Sequence, residues 1–259
     1  MSQPGVDIVR SIEAEDELTR TRGSEQIIED CVDVDRKEDD ERRPLTIDIF
    51  FDFICPWCLI GKRNLETALR RFTELRPDVC PKVQWHAYEL LPGTPEGGIP
   101  YQAFYLARLG SPEALAMRRA QVQAAGHAAG IKFAFERIEV LPNTALAHDL
   151  VAYAAAQGME SRREALVERL FTAYFIEGDD IGNRQVLKRV GQACGLNHPA
   201  LIDQLANSQR RSGGTERRSQ HDEHLVSGVP SFVFNGTHAL SGAHSPYALL
   251  QAMLQSSSA

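Results

Sequence analysis

The sequence predicts an α/β fold in which an all-helical insertion separates the two halves of one small sheet. Residues 47–53 and 83–88 have strand patterns on either side of a segment with helical spacing, which gives a β-α-β unit. Strand patterns return only at about residue 228, as two short strands followed by a last helix. The predicted order is therefore β-α-β, helices, β-β-α.

The net charge of the chain is concentrated in residues 1–44. This segment has 14 acidic and 7 basic residues, whereas the remaining chain has 21 of each, so the net charge of −7 arises there. Dense charge with few large apolar residues predicts a mostly disordered tail. The nearly neutral remainder argues against nucleic-acid binding, which requires a clustered excess of Lys and Arg.

Neither a membrane span nor a secretion signal is indicated. No apolar run approaches the roughly 18 residues that a span needs, and the first residues have no basic segment followed by an apolar one. We therefore expect no membrane partner and a cytoplasmic location, while no pattern indicates the oligomeric state. Five scattered cysteines do not form a disulfide framework; Cys31 receives no function, and Cys80 and Cys194 are interpreted as buried apolar residues.

The first strand is predicted to be central in the sheet. Ile47, Ile49, Phe51 and Phe53 alternate as a strand requires, while Phe50 adds apolar character to the other face, so both faces are expected to be covered. The following helix begins at a Cys-Pro-Trp-Cys sequence and has apolar residues at helical spacing, namely Leu65, Ala68, Leu69, Phe72 and Leu75.

Cys55 and Cys58 form the one close cysteine pair. Their spacing at a helix start places both sulfurs on one side of the first turn and exposes Cys55 to unpaired N–H groups, which favour a thiolate. Pro56 suits the first helical position, and Trp57 completes the loop. Cys58 is expected to be more shielded and to resolve a mixed disulfide. Half a zinc site and two core cysteines are the alternatives, but zinc needs a second close pair, so we predict a redox pair and no metal.

The helical insertion has clear start signals. Ser111-Pro112 and Asn183 are typical helix caps, Asn143 is expected to cap another helix, and Ser161 to Glu164 has the spacing of a capping box. After it, Asn235-Gly236 predicts a two-residue hairpin turn. The predicted domains are the tail 1–44, a first half 45–99, the insertion 100–225 and a second half 226–259.

Several motifs together resemble one family. The chain is similar to DsbA-family oxidoreductases of the thioredoxin fold, and within them to the FrnE-type branch, which borders 2-hydroxychromene-2-carboxylate isomerases and kappa-class glutathione transferases. The resemblance runs from Ile47 to the chain end. The motifs that carry it include Asp52-Phe53-Ile54-Cys55-Pro56-Trp57-Cys58, Gly61-Lys62, Pro142-Asn143-Thr144 with Ala147-His148, Asp180-Ile181-Gly182 and Gly228-Val229-Pro230.

The resemblance implies a thiol–disulfide oxidoreductase or disulfide isomerase. It implies Cys55 as the nucleophile, Cys58 as the resolving thiol and Pro230 as a cis proline, with the main chain of Val229 pairing with an extended substrate. It implies that the insertion roofs the site and sets specificity. The expected substrates are protein or small-molecule disulfides; no cofactor beyond the Cys55–Cys58 disulfide is expected, and glutathione is a candidate co-substrate.

Two departures from related proteins bear on the mechanism. Many thioredoxin-fold oxidoreductases carry a buried acid six residues before the nucleophile, where this chain has Ile49. Asp52 is then the nearest candidate for a proton relay, although a loop-capping role is favoured. The isomerase and transferase relatives usually have serine at the position of Cys55, so an intact pair favours redox chemistry over the alternative, a glutathione-dependent isomerase or transferase. His86 and His148 are interpreted as structural residues.

Overall fold

The computed structural model describes residues 42–198, 200–211 and 226–258. Its regular elements lie in the predicted order, apart from two unpredicted two-residue strands at Ile99–Pro100 and Val140–Leu141. Every helix between Tyr101 and Arg211 belongs to the insertion. The strands are β1 Arg43–Phe51, β2 Val79–Ala87, β3 Ile99–Pro100, β4 Val140–Leu141, β5 Ser231–Phe234 and β6 His238–Ser241. The α-helices are α1 Pro56–Leu75, α2 Tyr101–Leu109, α3 Pro112–Ala128, α4 Ala145–Ala156, α5 Glu160–Thr172, α6 Arg184–Ala193, α7 Leu201–Arg211 and α8 Pro246–Ser257. A 3₁₀ turn at Phe135–Arg137 and a π-helix at Ala173–Glu177 complete them.

The central sheet has the order β2-β1-β5-β6. β1 is parallel to β2 and antiparallel to β5, and β6 is antiparallel to β5. The alternation predicted for β1 is observed: Ile47, Ile49 and Phe51 are buried on one face, and Phe50 is buried on the other against Val233. The predicted α/β class with its inserted helices is confirmed, and β1 lies inside the sheet.

The second strand begins earlier than its pattern predicts. We expect it to start just past Pro81, yet β2 begins at Val79 and includes that proline. β2 is an edge strand of the central sheet, where a missing N–H group need not break a ladder.

The hairpin between β5 and β6 has the expected turn residues but a longer loop. Asn235 and Gly236 both have positive φ, as the predicted turn requires. Phe234 pairs with His238, however, so three residues rather than two separate the paired positions.

Helix caps in the insertion follow the sequence in most places. Ser111 and Asn183 accept hydrogen bonds from the N–H groups of Ala114 and Gln185, and the Asn143 side chain accepts one from Ala145 N–H. The capping box is wrong, since α5 begins at Glu160 and Ser161 lies inside it.

Some sequence predictions fall partly or wholly outside the described residues. The predicted tail 1–44 reaches them only at its last three residues, where Arg43 already starts β1, and Cys31 lies beyond them. Cys80 and Cys194 are half-buried rather than fully buried. Among the described residues no helix has the length and apolar character to cross a membrane.

Candidate active site

Cys55 lies in the short connection between β1 and α1. The turn after β1 is closed by a hydrogen bond from Cys55 N–H to the Asp52 carbonyl (3.1 Å), and Cys55 then occupies the N-cap position of α1 with Pro56 as the first helical residue. The thiol does not cap the helix itself. Its Sγ instead lies 3.7 Å from the carbonyl oxygen of Val229, to which the S–H group donates.

Cys58 lies one turn further along α1 and is shielded from solvent. Its side chain contacts that of Cys55, and only 2% of the residue is exposed. Burial raises the pKa of Cys58, and the neighbouring Cys55 raises it further, while a backbone hydrogen bond at Asp52 partly opposes the rise. Both thiols are free in this structure. Because its pKa is raised, Cys58 holds its proton at neutral pH.

The loop before β5 faces the cysteine pair. The Val229–Pro230 peptide bond is cis, and Val229 is half-buried with its carbonyl directed at Cys55. Gly61 on α1 permits this close approach: a Cβ atom there would lie 3.3 Å from Pro230 Cγ and 3.0 Å from Phe232 Cζ. The helix of the cysteines and the proline loop are thus packed directly against each other.

Asp52 is a fully buried carboxylate in the turn between β1 and α1. One oxygen, Oδ2, accepts a hydrogen bond from Leu90 N–H at 2.7 Å, which fixes the loop that follows β2. The other, Oδ1, lies 3.4 Å from His148 Nε2, and the His148 side chain is only 2% exposed. Asp52 therefore has the predicted loop-fixing contact and, in addition, an imidazole partner.

The imidazole of His148 lies in an aromatic setting. Its ring centroid is 5.0 Å from that of Phe51 and 4.9 Å from that of Phe53. α4 carries His148 to this position, so the helical insertion contributes a titratable group beside the cysteine helix. The nitrogen directed at Asp52 is the polar contact of a ring that is otherwise packed among phenylalanines.

Side chains from α2 and α3 border the cysteine loop. The Arg118 guanidinium lies 5.6 Å from the ring centre of Trp57, and that of Arg119 lies 5.4 Å from the ring of Tyr101. Tyr105 packs on Tyr101 with centroids 4.7 Å apart. Burial raises the pKa of Tyr105, and the nearby Tyr101 and Cys55 add to that rise, so its hydroxyl stays protonated.

A buried charge network ties α1 to α5. Lys62 is 2% exposed and pairs with Glu66, Glu164 and Glu168, the last two through contacts of 3.1 Å. Burial alone would lower the pKa of Lys62, but the three carboxylates outweigh it and raise that pKa. Glu164 also accepts a hydrogen bond from the indole N–H of Trp85 at 2.7 Å, which links β2 to the same cluster.

The described residues contain no group of three or more His, Cys, Asp or Glu side chains that could hold a metal ion. The structure brings the predicted site residues together. Cys55 and Cys58 lie at the start of α1, Asp52 lies in the turn just before it, and Val229 and Pro230 lie in the loop before β5, which faces both cysteines. Pro56 and Trp57 lie in the first turn of α1.

Sequence reasoning assigned no functional role to three neighbours of the site. His148 and Tyr105 come close to it only through the fold, whereas Lys62 lies four residues after Cys58 on the same helix. Their signals were present but weak, since a histidine or lysine in a helix is usually a structural or surface residue. Lys62 and His148 both appear in motifs of the resemblance, and His148 is interpreted from the sequence as a structural residue.

Comparisons with known proteins support the fold. A family model described as the DSBA-like thioredoxin domain matches residues 46–254. The protein YwbO of Bacillus subtilis, whose function is uncharacterized, is 24% identical over 195 residues, which cover 74% of this chain and 87% of that protein. A probable DsbA oxidoreductase, SCO1869 from Streptomyces coelicolor, has a TM-score of 0.72 at 24% identity, covering 83% of this chain and 90% of that one. The cytosolic disulfide reductase DsbM from Pseudomonas aeruginosa, solved with glutathione, has a TM-score of 0.52 at 19% identity, covering 82% and 96%.

Proposed function

The chain belongs to the DSBA-like thioredoxin family, and from that premise we propose that it is a thiol–disulfide oxidoreductase whose working groups are Cys55 and Cys58. The observation that carries the proposal is the contact between Cys55 Sγ and the Val229 carbonyl. In this contact the first thiol of a helix-start pair lies beside the main chain of the residue that precedes the cis proline.

In the first step Cys55 attacks a substrate disulfide. As a thiolate, its sulfur forms a bond to one substrate sulfur while the substrate S–S bond breaks, and the released thiolate takes a proton from solvent. Cys55 lies at the N-terminus of α1, where the partial positive charge of unpaired backbone N–H groups favours a thiolate. The product is a mixed disulfide between Cys55 and the substrate.

In the second step Cys58 releases the substrate. Its thiol loses a proton, its sulfur attacks Cys55 Sγ, and the electron pair of the mixed disulfide leaves with the substrate thiolate. The substrate disulfide has then gained two electrons and the protein holds a Cys55–Cys58 disulfide. Asp52, which touches Cys58 through its backbone and is buried beside it, is the proposed proton relay.

Val229 is proposed to hold the substrate through its backbone. An extended substrate segment can pair with the main chain of Val229, the residue before the cis proline and just ahead of β5. Such a contact suits many sequences because it is made by the main chain. Protein and small-molecule disulfides are therefore the proposed substrates. Helices α2 and α3 border the cysteine loop, and α3 brings Arg118 to Trp57. These two helices are proposed to select among the disulfide substrates.

Electrons are proposed to enter from glutathione, in the cytoplasm. There the thiol pool is reducing, so glutathione would return the Cys55–Cys58 disulfide to the dithiol state. The structure of DsbM, which is 19% identical to this chain, was solved with glutathione, and this supports the proposed donor. The reduction potential of the pair measures the direction of electron flow.

Three variants of the full chain test this proposal with insulin as the disulfide substrate. Cys55→Ser is expected to abolish reduction, and Cys58→Ser to stop each molecule at the mixed disulfide, which mass spectrometry detects. Cys194→Ser, which removes a half-buried thiol outside the pair, is the matched control and should keep full activity. Full reduction by Cys55→Ser would refute the mechanism. Turnover of a hydroxychromene carboxylate with glutathione, undiminished in Cys58→Ser, would instead favour a glutathione-dependent isomerase.

A further inference from the structure

An exposed arginine of the insertion lies over the tryptophan of the cysteine loop. Arg118 on α3 holds its guanidinium carbon 5.6 Å from the ring centre of Trp57, the residue directly before Cys58. Trp57 is half-buried and packs against the core, whereas Arg118 is exposed. One N–H group of Arg118 donates to Gln121, one turn further along the same helix, at 2.8 Å. A helical neighbour and an aromatic ring thus hold this guanidinium at the rim of the active site.

The two helices beside the cysteine loop have an excess of positive charge. Their charged side chains are three arginines and one carboxylate, namely Arg108, Arg118, Arg119 and Glu113. Within the part of the chain that the structure describes, none of the three arginines pairs with a carboxylate. On α1 and α5, by comparison, Arg63 and Arg163 each contact a glutamate. The positive charge of α2 and α3 is therefore only partly offset, next to the reacting thiols.

Of these three arginines, Arg118 is the one at the cysteine loop. The guanidinium of Arg119 lies 5.4 Å from the ring centre of Tyr101 and donates to Gln102, so it joins α3 to α2. The charge of Arg108 opposes the raised pKa of Tyr105, a residue of its own helix. Arg118 alone among the three combines exposure to solvent with a contact to the loop that carries the cysteines.

A guanidinium held in this way is suited to bind a carboxylate. It has five N–H donors in a planar fork, and those that Gln121 does not use can bind both oxygens of one carboxylate. Because the Trp57 ring and Gln121 already restrict the side chain, binding costs less conformational entropy than it would for a freely moving arginine. The unpaired positive charge of α2 and α3 also attracts anionic partners over a longer range.

We propose that Arg118 selects polypeptide disulfides that have an acidic side chain next to the reacting cysteine. This inference rests on the proposed function, since it needs a substrate sulfur at Cys55 and a substrate main chain at Val229. Trp57 is two residues after Cys55, and successive residues of an extended segment are about 3.3 Å apart. A carboxylate one or two residues from the substrate cysteine is therefore within reach of the guanidinium. Arg118 determines specificity and takes no part in bond making or breaking.

Three matched peptides test this role with the reduced full chain. Each peptide has one cysteine joined by a disulfide to a neutral pyridine thiol, and the residues beside that cysteine are glutamate, glutamine or lysine. The Cys55 thiolate attacks the peptide sulfur, the disulfide breaks, and the pyridine thiolate leaves with the electron pair and takes a proton from water to give a coloured thione. Stopped-flow absorbance therefore gives the second-order rate constant of the step in which the peptide first meets Cys55.

In the wild type at low salt, the glutamate peptide should react about threefold to fivefold faster than the glutamine peptide, the upper range for one exposed ion pair. The lysine peptide should be slower than both. Arg118→Gln should remove this preference and Arg118→Glu should reverse it. At about 1 M salt the wild-type preference should disappear, because the Debye length falls to about 3 Å. The matched control is Arg162→Gln, which removes an exposed arginine that donates to Met159 on α5 and should keep the preference.

Each other outcome has a defined meaning. Equal slowing of all three peptides in Arg118→Gln would show that Arg118 acts on the Cys55 thiolate and not on the substrate, which would overturn the inference. So would an unchanged preference, or a loss of rate confined to reduction of the oxidised protein by glutathione. The wild-type preference and its salt dependence need no variant, so they test the inference even if a variant does not fold. Thione release that survives Cys55→Ser would instead sink the proposed function, so the two failures are distinguishable.

Discussion

The buried ammonium group of Lys62 lies 3.1 Å from the carboxylate of Glu164, and this contact joins the cysteine helix to the helical insertion. Glu168 on the same insertion helix makes a second contact with Lys62, also at 3.1 Å. The position of Cys55 relative to the insertion therefore depends on a charge cluster about two turns along α1 as well as on apolar packing.

Replacing Lys62 by methionine should destabilise the fold. The apolar part of the side chain is kept, but the one cation that pairs with all three carboxylates is lost, and Arg63 pairs only with Glu66 and Glu168. Breaking a buried ion pair on one side costs about 3–5 kcal/mol, and we expect about 3 kcal/mol here because each carboxylate is 18–30% exposed. Urea unfolding measures this loss. The control is Arg71→Met on the same helix, whose exposed pair with Glu74 should contribute less than about 1 kcal/mol; equal losses in the two variants would contradict the network's role.

The same cluster should make the protein sensitive to acid. Burial alone would raise the pKa of Glu66, but Lys62 and Arg63 outweigh it and lower that pKa below its ordinary value. A lowered folded-state pKa contributes stability that is fully present above the unfolded value of about 4.3 and is lost as the pH falls through the folded value. The free energy of unfolding should therefore fall more steeply below about pH 5 in the wild type than in Glu66→Gln. Parallel curves for the two proteins would show that Glu66 is not responsible.

The parts of the site that depend on short sequence patterns could be predicted. Cys55 and Cys58 follow from their spacing at a strand-to-helix junction, and Val229-Pro230 follows from its place before the last two strands once the fold class is recognised. Each of these features is defined by neighbours in the chain, which is why one sequence is enough to find them.

Contacts between distant elements could not be predicted in this way. The predicted capping box from Ser161 to Glu164 does not form, because the Glu164 side chain contacts Lys62 and Trp85 instead. Trp85 is 79 residues away in the chain, and Lys62 is further still. His148 has an ordinary helical sequence around it, and its polar partner is the carboxylate of Asp52, 96 residues earlier in the chain. In both cases tertiary contacts assign the side chain a partner that local rules do not include.

Substituting Gly61 by alanine should disturb the proline loop rather than the helix. Alanine is favoured over glycine in a helix by about 1 kcal/mol, but the new Cβ would lie 3.0 Å from Phe232 Cζ and 3.3 Å from Pro230 Cγ. We expect slower insulin reduction, since the Val229 carbonyl would be displaced from Cys55, with little or no gain in stability. Gly191→Ala in α6 is the matched control, because its nearest contact is 3.8 Å and it should stabilise the protein without affecting activity. Equal activity in the two variants would show that the fit between Gly61 and Pro230 does not matter for catalysis.

Removing the Cys55 sulfur should change the reactivity of Cys58 in a defined direction. Burial is the first cause of the raised pKa of Cys58, and contact with Cys55 is the second. In Cys55→Ser the second cause is removed and the first remains, so the pKa of Cys58 should fall but stay above its ordinary value. Iodoacetamide labelling against pH, with each cysteine followed by peptide mass spectrometry, should therefore show Cys58 reacting at lower pH in the variant. Burial also raises the pKa of Cys194, and the charge that acts on this thiol is that of Arg169, so Cys194 should label with the same pH profile in both proteins. An unchanged Cys58 profile would mean that burial alone sets its pKa and that the two thiols are not electrostatically linked.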